Sequence, residues 1–431
     1  MTSRRNFLQK SATLAGLFPF TNFWNPLAAA EFEEQVNNIS KQSLSESIVN
    51  EDFWGWIRES FTVSPSIINL NNGGVSPQPK VVQDAHIRYY QMCNEGPSYY
   101  MWRILDQGRE SLRKKLATLA GCSTEEIAIN RNSTEGLNTI IFGLDLKAGD
   151  EVLLSKYDYP NMMNAWKQRE KRDGIKLNWI TFDLPQESDE YFIEKYKKAI
   201  TPKTKVVHLT HMINWTGQLL PVQKLADLAH QHGCEVILDS AHTFAHIDFS
   251  FPDTHCDYAA TSLHKWLSAP FGSGLLYIKK DKIKNVWALL SSVDPSGTDI
   301  RKFESLGTRS FASEMAIGQA LDFHNVIGTK RKEERLRYLK NYWCEKALSI
   351  PGFKLNISLK PKYSCALSNF SIEGVKPEDI EAKLMDKFKI HTVPINWEGT
   401  HGVRVTPHVY TNLADLDRLL EGIEYISKNK S

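Results

Sequence analysis

The chain has 431 residues, 42% hydrophobic and 24% charged, a make-up that excludes a disordered or fibrous protein. That length predicts a large core and two structural domains. A net charge of +2 offers no strong basic field, so nucleic acid is not an expected partner.

Residues 1–30 carry a basic head, Ser3-Arg4-Arg5-Asn6-Phe7-Leu8, an apolar stretch from Ala12 to Phe20, and the small-residue exit Ala28-Ala29-Ala30. Those are the three parts of a secretory signal. The paired arginines before Phe7-Leu8 resemble the bacterial twin-arginine signal, which implies export machinery as a partner and a periplasmic or secreted destination. Pro19 and Asn22 interrupt the apolar run, which falls short of the ~20 residues of a spanning helix, so no stable membrane anchor is expected. Removal of the segment near Ala30 takes away Arg4, Arg5 and Lys10 and no acid, leaving a net charge of −1. The six cysteines, Cys93, Cys122, Cys234, Cys256, Cys344 and Cys365, have neither C-x-x-C nor metal-ligand spacing and read mostly as small buried hydrophobes.

Residues 31–65 read as a linker followed by a short aromatic-rich helix, Asp52 to Phe61, that packs on the body of the protein, in particular its smaller domain. Helical periodicity follows at Pro79–Met92 and at Arg103–Leu119, where Ile104, Leu105, Leu112, Leu116 and Leu119 form one apolar face. Strand-like runs then alternate with helices: Ile127–Ile129, Glu151–Leu154, Leu177–Phe182, Lys205–Leu209 and Glu235–Leu238, then Tyr258–Ser262 and Gly274–Ile278, the last at an edge. This alternation predicts an α/β fold with a mainly parallel seven-stranded sheet covered on both faces, the large domain spanning 66–311. From Ala312 long helices, a strand near Ala366–Ile372 and helices at Pro377–Phe388 and Leu413–Ser427 predict a smaller α+β domain over 312–431.

Polar residues crowd the strand ends between Asp239 and Lys265. Ile237-Leu238-Asp239 puts a carboxylate at the carboxyl end of a buried strand, where open α/β sheets bind ligands. Thr261-Ser262-Leu263-His264-Lys265-Trp266 puts a lysine after the next strand. Taken singly, Asp239 fits a helix cap and Lys265 a solvated charge. Together they fit pyridoxal 5'-phosphate, which needs a lysine amine for its Schiff base and a carboxylate to keep its ring nitrogen protonated.

The stretch ILDSAHTFAHIDFSFPDTHCDYAATSLHKWLSAPFGSGLLYIKK resembles the cofactor-binding core of class V aminotransferases, fold-type I enzymes of pyridoxal phosphate. The resemblance runs from about Asn69 to the C-terminal helix and points to the isopenicillin N epimerase-like branch. It implies that Ser133 and Thr134, in Asn130–Gly136, hold the phosphate at a helix N-terminus, although a plain cap would use the same residues. It implies that Tyr159 stacks on the pyridine and that Asn214 and His242 approach the phenolic oxygen. Ser262 and His264 would flank the lysine as phosphate ligands. Thr308, in Gly307-Thr308-Arg309, would reach a partner's phosphate across a homodimer interface. Arg404, in Gly402–His408, would bind a substrate carboxylate by a two-pronged contact.

The resemblance departs from the cysteine desulfurases at one place. Those enzymes need a nucleophilic cysteine shortly before the substrate arginine, and His391–Thr400 has none. The reading implied is an enzyme acting on an amino acid or peptide-like amine by epimerase or aminotransferase chemistry, with elimination by a lyase as the alternative. A non-catalytic periplasmic binding protein would not need the lysine and aspartate, and a nicotinamide dehydrogenase would need a G-x-G-x-x-G after its first strand.

Overall fold

The computed structural model describes residue 39 and residues 42–430, so the export signal expected within residues 1–30 lies outside the described residues. Short apolar runs bounded by turn residues form one seven-stranded sheet. Its strands are β1 Ile127–Asn130, β2 Glu151–Ser155, β3 Lys176–Ile180, β4 Thr204–Thr210, β5 Glu235–Asp239, β6 Tyr258–Ser262 and β7 Gly274–Ile278. Their spatial order is β1-β7-β6-β5-β4-β2-β3. Every neighbouring pair is parallel except those made by β7, which runs antiparallel to β1 and β6. The sequence pattern put Gly274–Ile278 at an edge; it is interior, and β1 and β3 are the edges. Its burial at all positions is what an interior strand requires.

Side chains alternate between the two faces of the sheet. Val236 and Leu238 enter one core with Leu116, Phe192 and Leu225, whereas Ile237 and Tyr258 enter the other with Ile140 and Trp166. The covering helices include α1 Glu51–Glu59, α2 Lys80–Glu95, α3 Arg109–Ala120, α4 Ser133–Gly143, α5 Pro160–Asp173, α6 Asp189–Ala199 and α7 Val222–Gln231. The continuous helix expected over Arg103–Leu119 is broken instead. A π turn at Tyr100–Leu105 and a 3-10 turn at Asp106–Gly108 precede α3. A wider turn abandons the 3.6-residue register, and Ile104 is exposed rather than on the apolar face.

A four-stranded antiparallel sheet, order β10-β11-β9-β8, forms the second unit from β8 Phe353–Leu355, β9 Ser368–Ile372, β10 Val393–Trp397 and β11 Thr400–Val405. It packs with helices α9 Thr329–Ala347, α10 Pro377–Phe388 and α11 Leu413–Lys428 around Trp343, Phe370, Leu384, Val403 and Ile423. Helix α8 Phe311–Ile327, which the pattern grouped with this unit, shares its buried Ile317, Ala320 and Leu321 with the large-sheet core. Helix α1 touches both units: Phe53, Trp54 and Ile57 enter the large core, while Arg58 donates to the Tyr410 carbonyl and pairs with Asp415. Cys365 precedes β9. All six cysteines are free thiols, five of them buried. No helix among the described residues is long and apolar enough to cross a membrane.

Candidate active site

Parallel strands deliver their last residues to one rim of the sheet. Asn130, Ser155, Thr210, Asp239 and Ser262 all end strands there, and Thr210 pairs in register with Asp239, which pairs with Ala260. The antiparallel β7 starts at this rim, where Gly274 pairs with Asn130 and Ser262. A Cβ at Gly274 would collide with Asn130 Oδ1 and the Asn132 backbone, so glycine is what lets the turn before α4 close against β7.

The cap of α4 is Asn132, whose side chain accepts the Glu135 N–H at 2.8 Å; Ser133 and Thr134 are the first helical residues, not the cap. The Ser133 N–H donates to Ser262 Oγ at 2.9 Å, and the two hydroxyls lie 3.0 Å apart. Two serines, one opening α4 and the other ending β6, thus meet at the N-terminus of an eleven-residue helix, where N–H groups lack intrahelical acceptors. His264 is oriented by a contact of Nδ1 with the Ser273 carbonyl at 3.2 Å, which requires Nδ1 to carry the proton. Burial, helped by Lys265, takes it down to about 4, so it is neutral near pH 7.

Lys265 is partly buried, with Nζ 3.2 Å from His242 Nε2. Burial pulls the amine down to about 8; Asp239 opposes that shift and the Arg404 guanidinium adds to it. Burial likewise holds His242 well below the usual histidine range, reinforced by Lys265 and Arg404, so it is neutral. Asp239 Oδ1 accepts the Ala241 N–H at 2.9 Å. Burial raises its carboxyl, with that bond and Lys265 acting against the rise.

Arg404 is buried and donates from Nη1 to the Asn214 carbonyl and from Nη2 to Asn71 Oδ1, each at 2.9 Å. Burial brings it to about 10, and the Tyr159 phenol opposes the shift. Tyr159 therefore lies near Arg404, and the residue is 40% exposed. The Asn214–Gly217 turn sits against the small unit: Gly217 has φ +92°, and a Cβ there would strike the Leu367 carbonyl. The β10–β11 hairpin leans over the same region. Trp397 stacks on Trp215 at 5.4 Å and donates Nε1–H to the Lys156 carbonyl at 2.7 Å, while the Tyr157 hydroxyl donates to the Glu398 carbonyl at 2.7 Å.

Ten of the eleven residues expected from the sequence thus converge, directly or through neighbours, on this rim. Thr308 lies at the outer edge of this region. It is exposed in a cleft of about 450 Å³ that also contains Asn130, Arg131, Glu135 and Phe271. Two residues went unnoticed in the sequence. Asn71 holds Arg404 from 333 positions away, and only its place in an Asn-Asn-Gly-Gly turn marked it. Buried Asp158 accepts the Ser155 N–H at 2.9 Å and the Thr210 hydroxyl at 2.7 Å, and burial raises it to about 7 with a contribution from Asp239.

The rim fits pyridoxal phosphate on the structure's own terms. His242 Nδ1, Asn214 Oδ1, Arg404 Nε and Thr406 Oγ1 are buried polar atoms without partners among the described residues, a condition proteins rarely leave unanswered. The serine-lined helix N-terminus suits a phosphate, Asp239 a protonated ring nitrogen, and Lys265 an aldehyde. Among the described residues no group of His, Cys, Asp and Glu is arranged to hold a metal ion.

Comparison with known proteins agrees. The family model described as Aminotransferase class-V matches residues 68–419. An isopenicillin N epimerase of Amycolatopsis lactamdurans is 28% identical over 396 residues, covering 87% of this chain and 99% of that protein. A probable cysteine desulfurase of Halalkalibacterium halodurans is 27% identical over 384 residues, covering 83% and 92%. Among solved structures, the cysteine desulfurase CsdA of Escherichia coli superposes with a TM-score of 0.75 at 20% identity, over 87% of this chain and 98% of that one. The cystine C–S lyase C-DES gives a TM-score of 0.75 at 22% identity, over 84% and 98%. These two likenesses establish the fold.

Proposed function

This chain belongs to the class-V aminotransferase family and is a pyridoxal phosphate-dependent enzyme, and from that premise we propose that it moves a proton at the α-carbon of an amino acid or peptide-like amine, in epimerase or aminotransferase chemistry. The observation that carries this reading is the contact of Lys265 Nζ with His242 Nε2 at 3.2 Å. It places an amine that burial brings down to about 8 beside a neutral imidazole at the cofactor rim, two groups able to take and return a proton. When bound, the cofactor supplies an electron sink for the pair left at that carbon. Arg404 orients the substrate by its carboxylate, as its buried guanidinium and free Nε allow. Asp239 would accept from the protonated ring nitrogen, Ser133, Thr134, Ser262 and His264 would hold the phosphate, and Tyr159, Asn214 and His242 would fix the ring.

Relatives named isopenicillin N epimerase support epimerisation. Relatives named cysteine desulfurase are as similar, but the hairpin before Arg404 closes through Glu398 and Gly399 and carries no cysteine. The active unit in this reading is a homodimer. Thr308 shares its cleft with exposed Phe271, and the adjoining Arg309 lies over the ring of exposed Trp102. These two aromatics stand exposed in and beside a cleft otherwise lined mainly by polar and charged residues, and a second copy seated there would cover them while bringing Thr308 to its partner's phosphate. Export by the twin-arginine route rests on Arg4 and Arg5 and places the enzyme in the periplasm or outside the cell.

Incubation of reconstituted enzyme with a panel of amino acids in deuterated water tests the reading. Deuterium at the α-carbon with the amine retained marks epimerisation, and keto acid marks transamination. Release of a β-substituent without α-deuterated amino acid would instead identify a lyase and overturn the proposal.

A further inference from the structure

His246 takes no part in the chemistry described above, yet it is wholly buried directly behind it. Its Nδ1 lies 2.6 Å from the carbonyl oxygen of His242, an atom that can only accept, so Nδ1 carries a proton. Its Nε2 lies 3.1 Å from the Ala366 backbone N–H, which can only donate, so Nε2 offers a lone pair. Both nitrogens are committed, and the ring is fixed as one neutral tautomer. The plane of the ring is fixed as well: it stacks on Trp266 at 3.6 Å and 17°. Trp266 is in turn stacked against His408 from the small unit and gripped at its carbonyl by the Lys332 amine. The backbone bends to set this up, for Ala245 sits at φ +57°, a region uncommon for residues with a side chain.

Each partner of His246 is next to a working part. His242 contacts the Lys265 amine, and Trp266 follows Lys265 in the chain. Ala366 leads into β9, where Asn369 pairs in register with Arg404. One imidazole therefore joins the lysine unit of the large domain to the arginine unit of the small one.

We propose that His246 is a positioning residue, donating to His242 to set the surroundings of Lys265 and accepting from Ala366 to set the distance of Arg404 from Lys265. This rests on the proposed roles of those two residues. It divides the histidine into two separable halves. Asn at 246 places an amide N–H where Nδ1 was and leaves Ala366 without an acceptor. Gln at 246 reaches the place of Nε2 with its carbonyl and leaves the His242 carbonyl without a donor.

The test uses reconstituted full-length enzyme with two readouts: the pH midpoint of the bound cofactor's visible band, and the dissociation constant of 2-methylalanine, which has a carboxylate and an amine but no α-proton. His246→Asn is expected to keep the midpoint and weaken 2-methylalanine about fivefold, the worth of one buried hydrogen bond. His246→Gln is expected to move the midpoint by about 0.7 of a pH unit and keep the affinity within about twofold. Folded variants that leave both readouts unchanged, or that shift both together, would overturn the proposal. In unsubstituted protein the 15N shifts of His246 are expected to report the neutral Nδ1–H tautomer throughout the neutral range. A charged ring or an Nε2–H tautomer would overturn the proposal even if neither variant folds. A wild-type protein with no visible band, or one whose response to 2-methylalanine survives Arg404→Lys, counts against the proposed roles of Lys265 and Arg404 and not against His246.

Discussion

Substitution of Asp239 by Asn isolates the electrostatics of the lysine. Burial brings the Lys265 amine from 10.5 to about 8 while Asp239 opposes the shift. At pH 7 an amine at 10.5 is neutral in about 0.03% of molecules, whereas one at about 8 is neutral in about a tenth, a gain of about 300-fold in nucleophile. Asp239→Asn removes the opposing attraction, so the midpoint should fall below 8 and the neutral fraction at pH 7 should rise. Trinitrophenylation of Lys265 in cofactor-free protein, followed by mass spectrometry from about pH 6 to 11, measures this directly. A wild-type midpoint near 10.5, or a midpoint that stays put or rises in Asp239→Asn, would refute the reasoning. An unchanged midpoint would mean that Asp239 is itself protonated, since burial raises its carboxyl too. The same substitution removes the acceptor for a protonated ring nitrogen, so faster labelling should accompany slower turnover.

Arg404→Lys keeps a charge but loses the planar fork that reaches the Asn214 carbonyl and Asn71 together; the affinity for a substrate carboxylate should fall by about 30-fold, read as a rise in KM. Ser262→Ala removes the acceptor of the Ser133 N–H and should weaken pyridoxal phosphate about fivefold in a fluorescence titration, with little change in Tm. Gly217→Ala combines a positive φ with a collision at the Leu367 carbonyl and should cost about 2–4 kcal/mol in urea unfolding, where an effect below about 0.5 would contradict the close approach. Replacement of Arg4 and Arg5 by Lys should retain the protein in the cytoplasm on fractionation, an outcome that export by another route would not give.

The parts of the site that sequence made legible are those set by local pattern. Asp239 and Ser262 end buried strands whose apolar runs are plain in the chain, and Lys265 follows three residues after one of them. The parts that stayed hidden are tertiary. Asn71 and Asp158 are ordinary turn residues until folding brings Arg404 and Thr210 to them. The interior place of β7 was hidden for a related reason, since five apolar residues do not say which neighbours will flank them. The break at Tyr100–Gly108 was hidden too, since the apolar spacing that predicts a regular helix does not register a change of turn type.

The bond between Asn71 and Arg404 closes a loop of 333 residues. Closing so long a loop costs on the order of 5 kcal/mol in chain entropy before any contact repays it. A ribosome adding roughly 5–20 residues each second needs on the order of tens of seconds to reach Arg404 after Asn71 has emerged. The site is therefore among the last features to exist as the protein is made, and tight retention of the cofactor reports that the chain from Asn71 to Arg404 has folded.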